Sequence, residues 1–187
     1  MSRISPDDVV LGLLAANPAH GYQLLEHFRA PHQLGKVWHL STSQLYAILK
    51  RLEQGDYVIG REILSSDAPT RTEYQLAESG RNRLDTWLHD PNPSASTRHI
   101  RTEFLSRLYI AHLLRIPVRP IIQRQKAACW EQKSALVAAR QQVETGIGAL
   151  SLDLLVSELD VILQWIDRCE AHLTGHRTAE DAPESTG

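Results

Sequence analysis

The segment from residue 36 to residue 52 has side chains suited to contact with a polyanion. It holds three cations, Lys36, Lys50 and Arg51, and no aspartate or glutamate, although the whole chain has a net charge of −2. Hydroxyl and amide side chains lie between these cations. Cations neutralise phosphates, whereas hydroxyl and amide groups can also bond the edges of bases. The composition of the segment therefore indicates nucleic-acid binding, and a merely solvated polar helix face is the alternative.

A helix predicted to begin at Ser41 or Ser43 and to end at Gly55 would position these side chains. Apolar residues at helical spacing form its buried stripe, so the polar residues between them face outward. Among these, Gln44 has an amide that can form two hydrogen bonds to adenine. Tyr46 fits either this outward face or the core, because it lies beside Leu45.

Two earlier helices and a later hairpin complete the predicted N-terminal domain. Ser5 and Pro6 begin a first helix that ends at Asn17-Pro18, and a second helix spans 21–30. Strands at 57–64 and 70–76 flank turn residues at 65–69, and a helix follows at 78–88. Three helices and a hairpin make a winged helix-turn-helix, whose third helix enters the major groove of DNA. The hairpin would add Arg71 and Thr72 to the interface.

Several short motifs follow one another across residues 9–88. They are LGLL at 11–14, HGYQL at 20–24, WHLSTSQLY at 38–46, LEQGDYV at 52–58 and TEYQL at 72–76, followed by ESGR at 78–81. In these motifs the chain resembles the PadR family of transcriptional regulators. The resemblance implies a dimeric repressor that a small molecule or another signal releases from DNA. It also implies DNA contacts from Ser41, Thr42, Ser43, Gln44, Tyr46, Lys50, Arg71 and Thr72. Ala77 departs from the family, which usually has there a threonine that would cap the next helix.

The remainder of the chain is predicted to form a helical arm. A Pro-rich linker at 91–97 would separate the winged-helix domain, residues 1–90, from a helical domain at 98–175, and a polar, disordered tail would follow at 176–187. Apolar residues repeat every seven positions in the last helix, which is typical of a coiled coil. This seam predicts a homodimer, as a palindromic operator would require. Packing of two helices within one chain is the alternative. The predicted dimerisation residues are Leu152, Leu155, Leu159, Ile162, Ile166 and Cys169.

Four aromatic residues are candidates for a pocket that binds a small aromatic effector, because aromatic rings stack on planar ligands. Core packing or dimer contact is the alternative for each. They are Phe104, Tyr109, Trp130 and Trp165.

Other kinds of site find little support in the sequence. Cys129 and Cys169 fall on apolar seams, which favours buried thiols over a redox switch. The nine histidines lack the spacing of metal ligands, so neither a metal nor a cofactor is expected. The sequence also lacks a Gly-rich phosphate loop and a nucleophile elbow, which argues against an enzyme.

The prediction is a mainly α-helical protein with a small β-hairpin: an N-terminal winged helix-turn-helix and a C-terminal helical dimerisation arm. The predicted function is that of a homodimeric repressor that binds a specific sequence in double-stranded DNA. A winged helix used only for protein interaction is the alternative. The sequence has no apolar run near the roughly 20 residues of a membrane span and no signal peptide, so we expect no membrane contact and a cytoplasmic location.

Overall fold

The computed structural model describes residues 4–63 and 71–175. A mainly helical fold with a small antiparallel sheet is confirmed. In chain order its elements are α1 (Asp7–Ala16), β1 (Ala19–His20), α2 (Gly21–Arg29), α3 (Thr42–Gln54), β2 (Val58–Ile63), β3 (Arg71–Leu76), α4 (Glu78–Leu88), α5 (Thr97–His99), a π-helical turn (Ile100–Phe104), α6 (Leu105–Leu113), α7 (Arg119–Gln141) and α8 (Ile147–Gly175).

The sheet is built on the predicted hairpin. β2 and β3 pair antiparallel from Val58 opposite Leu76 to Ile63 opposite Arg71. The sequence analysis missed β1, whose two residues pair with β3 and give the strand order β1-β3-β2. Two residues are too few for a recognisable alternation of polar and apolar side chains. The predicted turn at 65–69 and the strand ends at Leu64 and Thr70 lie outside the described residues.

The chain forms two compact units, and their boundary differs from the predicted one. The first unit comprises residues 4–63 and 71–90 together with 101–116, so α6 belongs with the winged helix rather than with the C-terminal domain. Close packing explains this placement. A Cβ atom at Gly12 of α1 would lie 2.5 Å from the Cγ2 atom of Ile110 on α6, so only glycine allows this approach. The buried face of α6 thus completes the core of the winged helix.

Polar contacts also fix α6 against the elements that lead to α3. The indole Nε1 of Trp38 donates to the buried Ser106 hydroxyl at 2.8 Å. His27 Nδ1 and the Tyr109 hydroxyl are 2.9 Å apart. Because α2 and the segment before α3 are both tied to α6, the position of α3 depends on a helix that the sequence analysis assigned to the other domain.

The second unit comprises residues 91–100 and 117–175. Its helices α7 and α8 are antiparallel, since Lys126 pairs with Asp167, Lys133 with Asp160 and Arg140 with Asp153. The predicted linker is a packed part of this unit: Gln125 Nε2 donates to the Ser94 carbonyl at 2.9 Å.

Candidate nucleic-acid interface

Helix α3 begins with a capping box. The Ser41 hydroxyl accepts from the Gln44 backbone N at 3.2 Å, and Gln44 Oε1 accepts from the Ser41 backbone N at 2.9 Å. Each side chain thus satisfies a backbone donor that the helix itself cannot satisfy. The two-point bond to adenine predicted for Gln44 would use the same oxygen, and it stays a prediction beside this capping role. Ser41 and Gln44 position the helix.

The neighbouring hydroxyls also have partners within the first unit. Arg29 Nη2 donates to Thr42 Oγ1 at 3.4 Å, and the Ser43 and Ser41 hydroxyls are 3.1 Å apart. All three hydroxyl residues are nevertheless exposed at the start of α3.

One face of α3 is left to solvent. The apolar stripe of the helix is buried as predicted, and the exposed residues on the opposite side follow the same helical spacing. Tyr46 is 48% exposed, which places it on this outer side rather than in the core. We call the exposed side the recognition face; it consists of Ser43, Tyr46, Ala47 and Lys50.

A depression of about 690 Å³ adjoins the recognition face. It brings together side chains of α2, α3 and β3, and includes Tyr46, Arg71 and Thr72, which the sequence analysis drew from two separate elements. We call it the contact groove; it is lined by His20, Tyr22, Gln23, Glu26, Tyr46, Arg71 and Thr72.

The sequence analysis missed the contribution of α2 to this groove. Tyr22 is 59% exposed. His20 caps the helix, accepting at Nδ1 from the Gln23 backbone N at 3.3 Å. The spacing carried no clear signal, because Tyr22 lies three residues before the buried Leu25 and so falls at the edge of the buried stripe.

The predicted cations divide into two groups. Lys36, Lys50 and Arg71 are exposed and have no ion pair with any residue that the structure describes. The guanidinium of Arg51 instead binds Asp7 on α1, with Nε 3.0 Å from Oδ2 and Nη2 2.5 Å from Oδ1. Arg51 is therefore a partner in an intramolecular ion pair, although 55% of its side chain remains exposed.

The predicted dimer seam lies largely inside the α7–α8 pair. Leu159 and Ile166 are only 4% and 0% exposed within a single chain, and Leu152, Ile162 and Cys169 are half-buried. A heptad spacing arises equally when two helices of one chain pack side by side. Of the six predicted residues, Leu155 alone is exposed.

A second apolar row on α8 is exposed. Ile147, Leu150, Leu154 and Val161 are 81%, 66%, 60% and 62% exposed. Their spacing of three, four and seven residues places them along one side of the helix. We call this row the α8 stripe.

The four aromatic candidates are divided between the two units. Phe104 is buried and Tyr109 contacts His27, both in the first unit. Burial raises the pKa of the Tyr109 hydroxyl. Trp130 and Trp165 belong to the second unit, where Trp130 is exposed beside the ammonium of Lys133. The contact groove and the two depressions found in the second unit include none of the four.

The two thiols differ in exposure. Cys129 is buried and Cys169 is half-buried, and in both cases burial raises the pKa of the thiol. A raised pKa disfavours the reactive thiolate.

Within residues 4–63 and 71–175, no cluster of three or more histidine, cysteine or acidic side chains could hold a metal ion. The helices of these same segments are too short or too polar to cross a membrane.

The geometry of the first unit defines a class of protein, and comparison with known proteins supports it. Three helices and a wing with an exposed third helix form a winged helix-turn-helix. Residues 10–86 match the model of the transcriptional regulator PadR-like family. The chain thus contains a domain of the PadR-like family of transcriptional regulators, as the sequence motifs indicated.

Two curated transcriptional regulators are similar to this chain in sequence. The chain is similar to the negative transcriptional regulator PadR of Bacillus subtilis, with 29% identity over 107 residues, which are 56% of either chain. It is 27% identical over 82 residues to a probable transcriptional regulator of Mycobacterium tuberculosis, covering 44% of this chain and 42% of that one. The aligned part therefore spans about half the length of these curated relatives.

Two solved structures align with most of this chain. The crystal structure of Bacillus subtilis PadR in complex with operator DNA aligns with a TM-score of 0.45 and 21% identity, covering 92% of this chain and 99% of that chain. The structure of the same regulator in complex with p-coumaric acid aligns with a TM-score of 0.39 and 20% identity, covering 90% and 95%.

Proposed function

We propose that this protein is a transcriptional regulator that binds a specific DNA sequence and acts as a homodimeric repressor. The observation that carries the proposal is the recognition face of α3, which lies open beside the contact groove in a PadR-like winged helix.

The recognition face fits the requirements of the major groove. B-DNA admits one α-helix there, and side chains at the start of the helix reach the edges of the bases. Ser43 and Tyr46 are the candidates for base contact, because neither is used to cap the helix. Lys36, Lys50 and Arg71 would meet phosphates, and Tyr22 and Thr72 extend the same surface from α2 and β3.

A second copy of the chain would cover the α8 stripe. Large apolar side chains that repeat along one side of a long helix lose contact with water when two such helices meet. Two copies would also present two recognition faces to a palindromic operator. We therefore transfer the dimer interface from the predicted seam to Ile147, Leu150, Leu154 and Val161, together with Leu155.

We further propose that a small aromatic molecule releases the repressor. The support is the relative from Bacillus subtilis, whose structures include one with operator DNA and one with p-coumaric acid. A function on the chromosome implies a cytoplasmic location.

Titration of labelled DNA at several salt concentrations tests the proposal. The protein should bind its own upstream region more tightly than random DNA. Each phosphate contact adds about −0.9 to the slope of log affinity against log salt, so Lys50→Ala should make the slope less steep by about that amount. Arg168→Ala, an exposed cation on α8, is the matched control and should leave the slope unchanged. Equal binding to all DNA at every salt concentration would refute specific regulation and favour a protein-interaction module.

A further inference from the structure

An ion-pair cluster joins α3 to two other helices of the first unit. Arg51 in the last turn of α3 contacts both carboxylate oxygens of Asp7, and Asp7 lies in the first turn of α1. A guanidinium that binds a carboxylate at two points constrains the orientation of both groups, which a single contact does not. The contact therefore restricts the rotation of α3 relative to α1.

A second arginine extends the cluster to α4. Arg83 Nε donates to Asp8 Oδ1 at 2.7 Å, and its Nη2 lies 4.0 Å from Asp7 Oδ2. The guanidinium of Arg83 also lies over the ring of Tyr57, at 4.8 Å from the ring centre, just before β2. Asp7 and Asp8 of α1 thus bind one arginine from α3 and one from α4.

Asp7 is the buried centre of the cluster, with 8% of its side chain exposed. Burial opposes its ionisation, but hydrogen bonds from Arg51 and Ser5 and the attraction of both guanidinium groups outweigh it, so the pKa of Asp7 lies below its ordinary value. The carboxylate is therefore charged at neutral pH and requires a cationic partner.

We propose that Asp7 is a positioning residue for DNA recognition: through Arg51 it sets the orientation of the recognition face and keeps the Arg51 charge from DNA phosphates. This inference rests on the proposed function. Lys50 and Arg51 are consecutive, so they project about 100° apart around the helix. Lys50 is left to meet DNA, whereas Arg51 is held by α1.

Loss of the pair should then have two effects of opposite kind. Without its anchor, α3 samples other orientations, and the fit between the recognition face and the operator becomes poorer. The guanidinium, once released, can meet phosphates of any sequence. Operator affinity should fall while affinity for random DNA does not.

A double-mutant cycle with a matched control tests this role. The variants are Asp7→Asn, Arg51→Gln and the two combined, with Lys50→Gln as the control on the neighbouring position. Each is titrated with operator and random DNA at several salt concentrations, after circular dichroism has established that it is folded.

We expect Asp7→Asn to lower the ratio of operator to random affinity by about tenfold, since residues without ligand contact shift coupling on this scale. The double variant should be no worse than either single one, because the two residues act together. Arg51→Gln should keep the salt slope of the unaltered protein, whereas Lys50→Gln should make it less steep by about 0.9. If Arg51→Gln changed the slope as Lys50→Gln does, Arg51 would be a phosphate contact and the inference would be overturned.

Other outcomes separate this inference from the proposed function. An operator preference that Asp7→Asn leaves intact would overturn the positioning role alone. Absence of any operator preference in the unaltered protein would overturn the proposed function and the positioning role with it. Should Asp7→Asn fail to fold, Arg51→Lys replaces it, because lysine keeps the charge but not the two-point contact. A lower operator preference in that variant would support the positioning role, and an unchanged one would overturn it.

Discussion

Helices α1 and α8 are both rich in aliphatic residues, yet they differ in what covers them. α1 buries all of its residues from Val9 to Leu14 within the first unit. α8 buries Leu159, Leu163 and Ile166 but leaves the α8 stripe exposed. The comparison teaches that the first unit completes its core within one chain, whereas the second covers one side of α8 with α7 and leaves the other side exposed.

The largest expected effect separates the two sides of α8. Leu159→Asp puts a charge into the buried side, where an unpaired charge costs several kcal/mol, so the α7–α8 pair should lose helical structure. Leu150→Asp combined with Leu154→Asp should instead stay helical and become monomeric, with the dimer dissociation constant raised at least about a hundredfold. Circular dichroism and analytical ultracentrifugation measure the two responses. A folded dimer in the double variant would show that the α8 stripe is not the interface.

Two aromatic residues extend the comparison to single positions. Phe104 is 1% exposed in the first unit and Trp130 is 49% exposed in the second. Truncation of a buried phenylalanine costs about 3–5 kcal/mol, so Phe104→Ala should lower the free energy of unfolding by that amount. Trp130→Ala should change it by less than about 1 kcal/mol. Chemical denaturation measures both, and equal losses would contradict the assignment of Phe104 to the core.

Acid should weaken the first unit through Asp7. Because its pKa is lowered on folding, the unfolded chain takes up a proton at a higher pH than the folded one. The ionised Asp7 therefore contributes its full stabilisation above the ordinary carboxyl pKa of about 4. This contribution is lost as the pH falls through the lower pKa that Asp7 has in the folded protein. Asp7→Asn should therefore flatten the loss of stability in acid. Asp160→Asn, which removes a half-exposed ion pair between α7 and α8 in the other unit, is the control. Denaturation curves at a series of pH values decide between these outcomes.

The smallest effect concerns a missing cap in the first unit. Ala77 is the N-cap of α4 and has extended backbone angles, but its side chain cannot accept a hydrogen bond. Ala77→Thr should raise the free energy of unfolding by about 1 kcal/mol, since a threonine oxygen there satisfies a free backbone donor. Ala77→Val has a similar shape without the oxygen and should give no such gain. Equal stability of the two variants would show that the gain, if any, is not due to capping.

The sequence alone predicted what depends on local pattern. Helical spacing and turn residues located α1, α2, α3 and α4 to within about two residues. Both signals depend only on residues that are close together in the sequence: the repeat of apolar side chains along a helix, and the Pro, Gly and Asn residues that end it. The alternation at 57–64 and 70–76 predicted the hairpin for the same reason. The ordered motifs indicated the PadR-like domain, and the exposed side of α3 followed from its buried stripe.

Tertiary structure decided what depends on distant partners. Arg51 is 44 positions from Asp7, so no local pattern could reveal that its charge is already paired. α6 joined the first unit because Gly12 leaves room for Ile110, a fit between surfaces far apart in sequence. The heptads of α8 were ambiguous, since packing within one chain and packing between two chains require the same period. Only the position of α7 showed which side of α8 is covered within the chain and which side is left exposed.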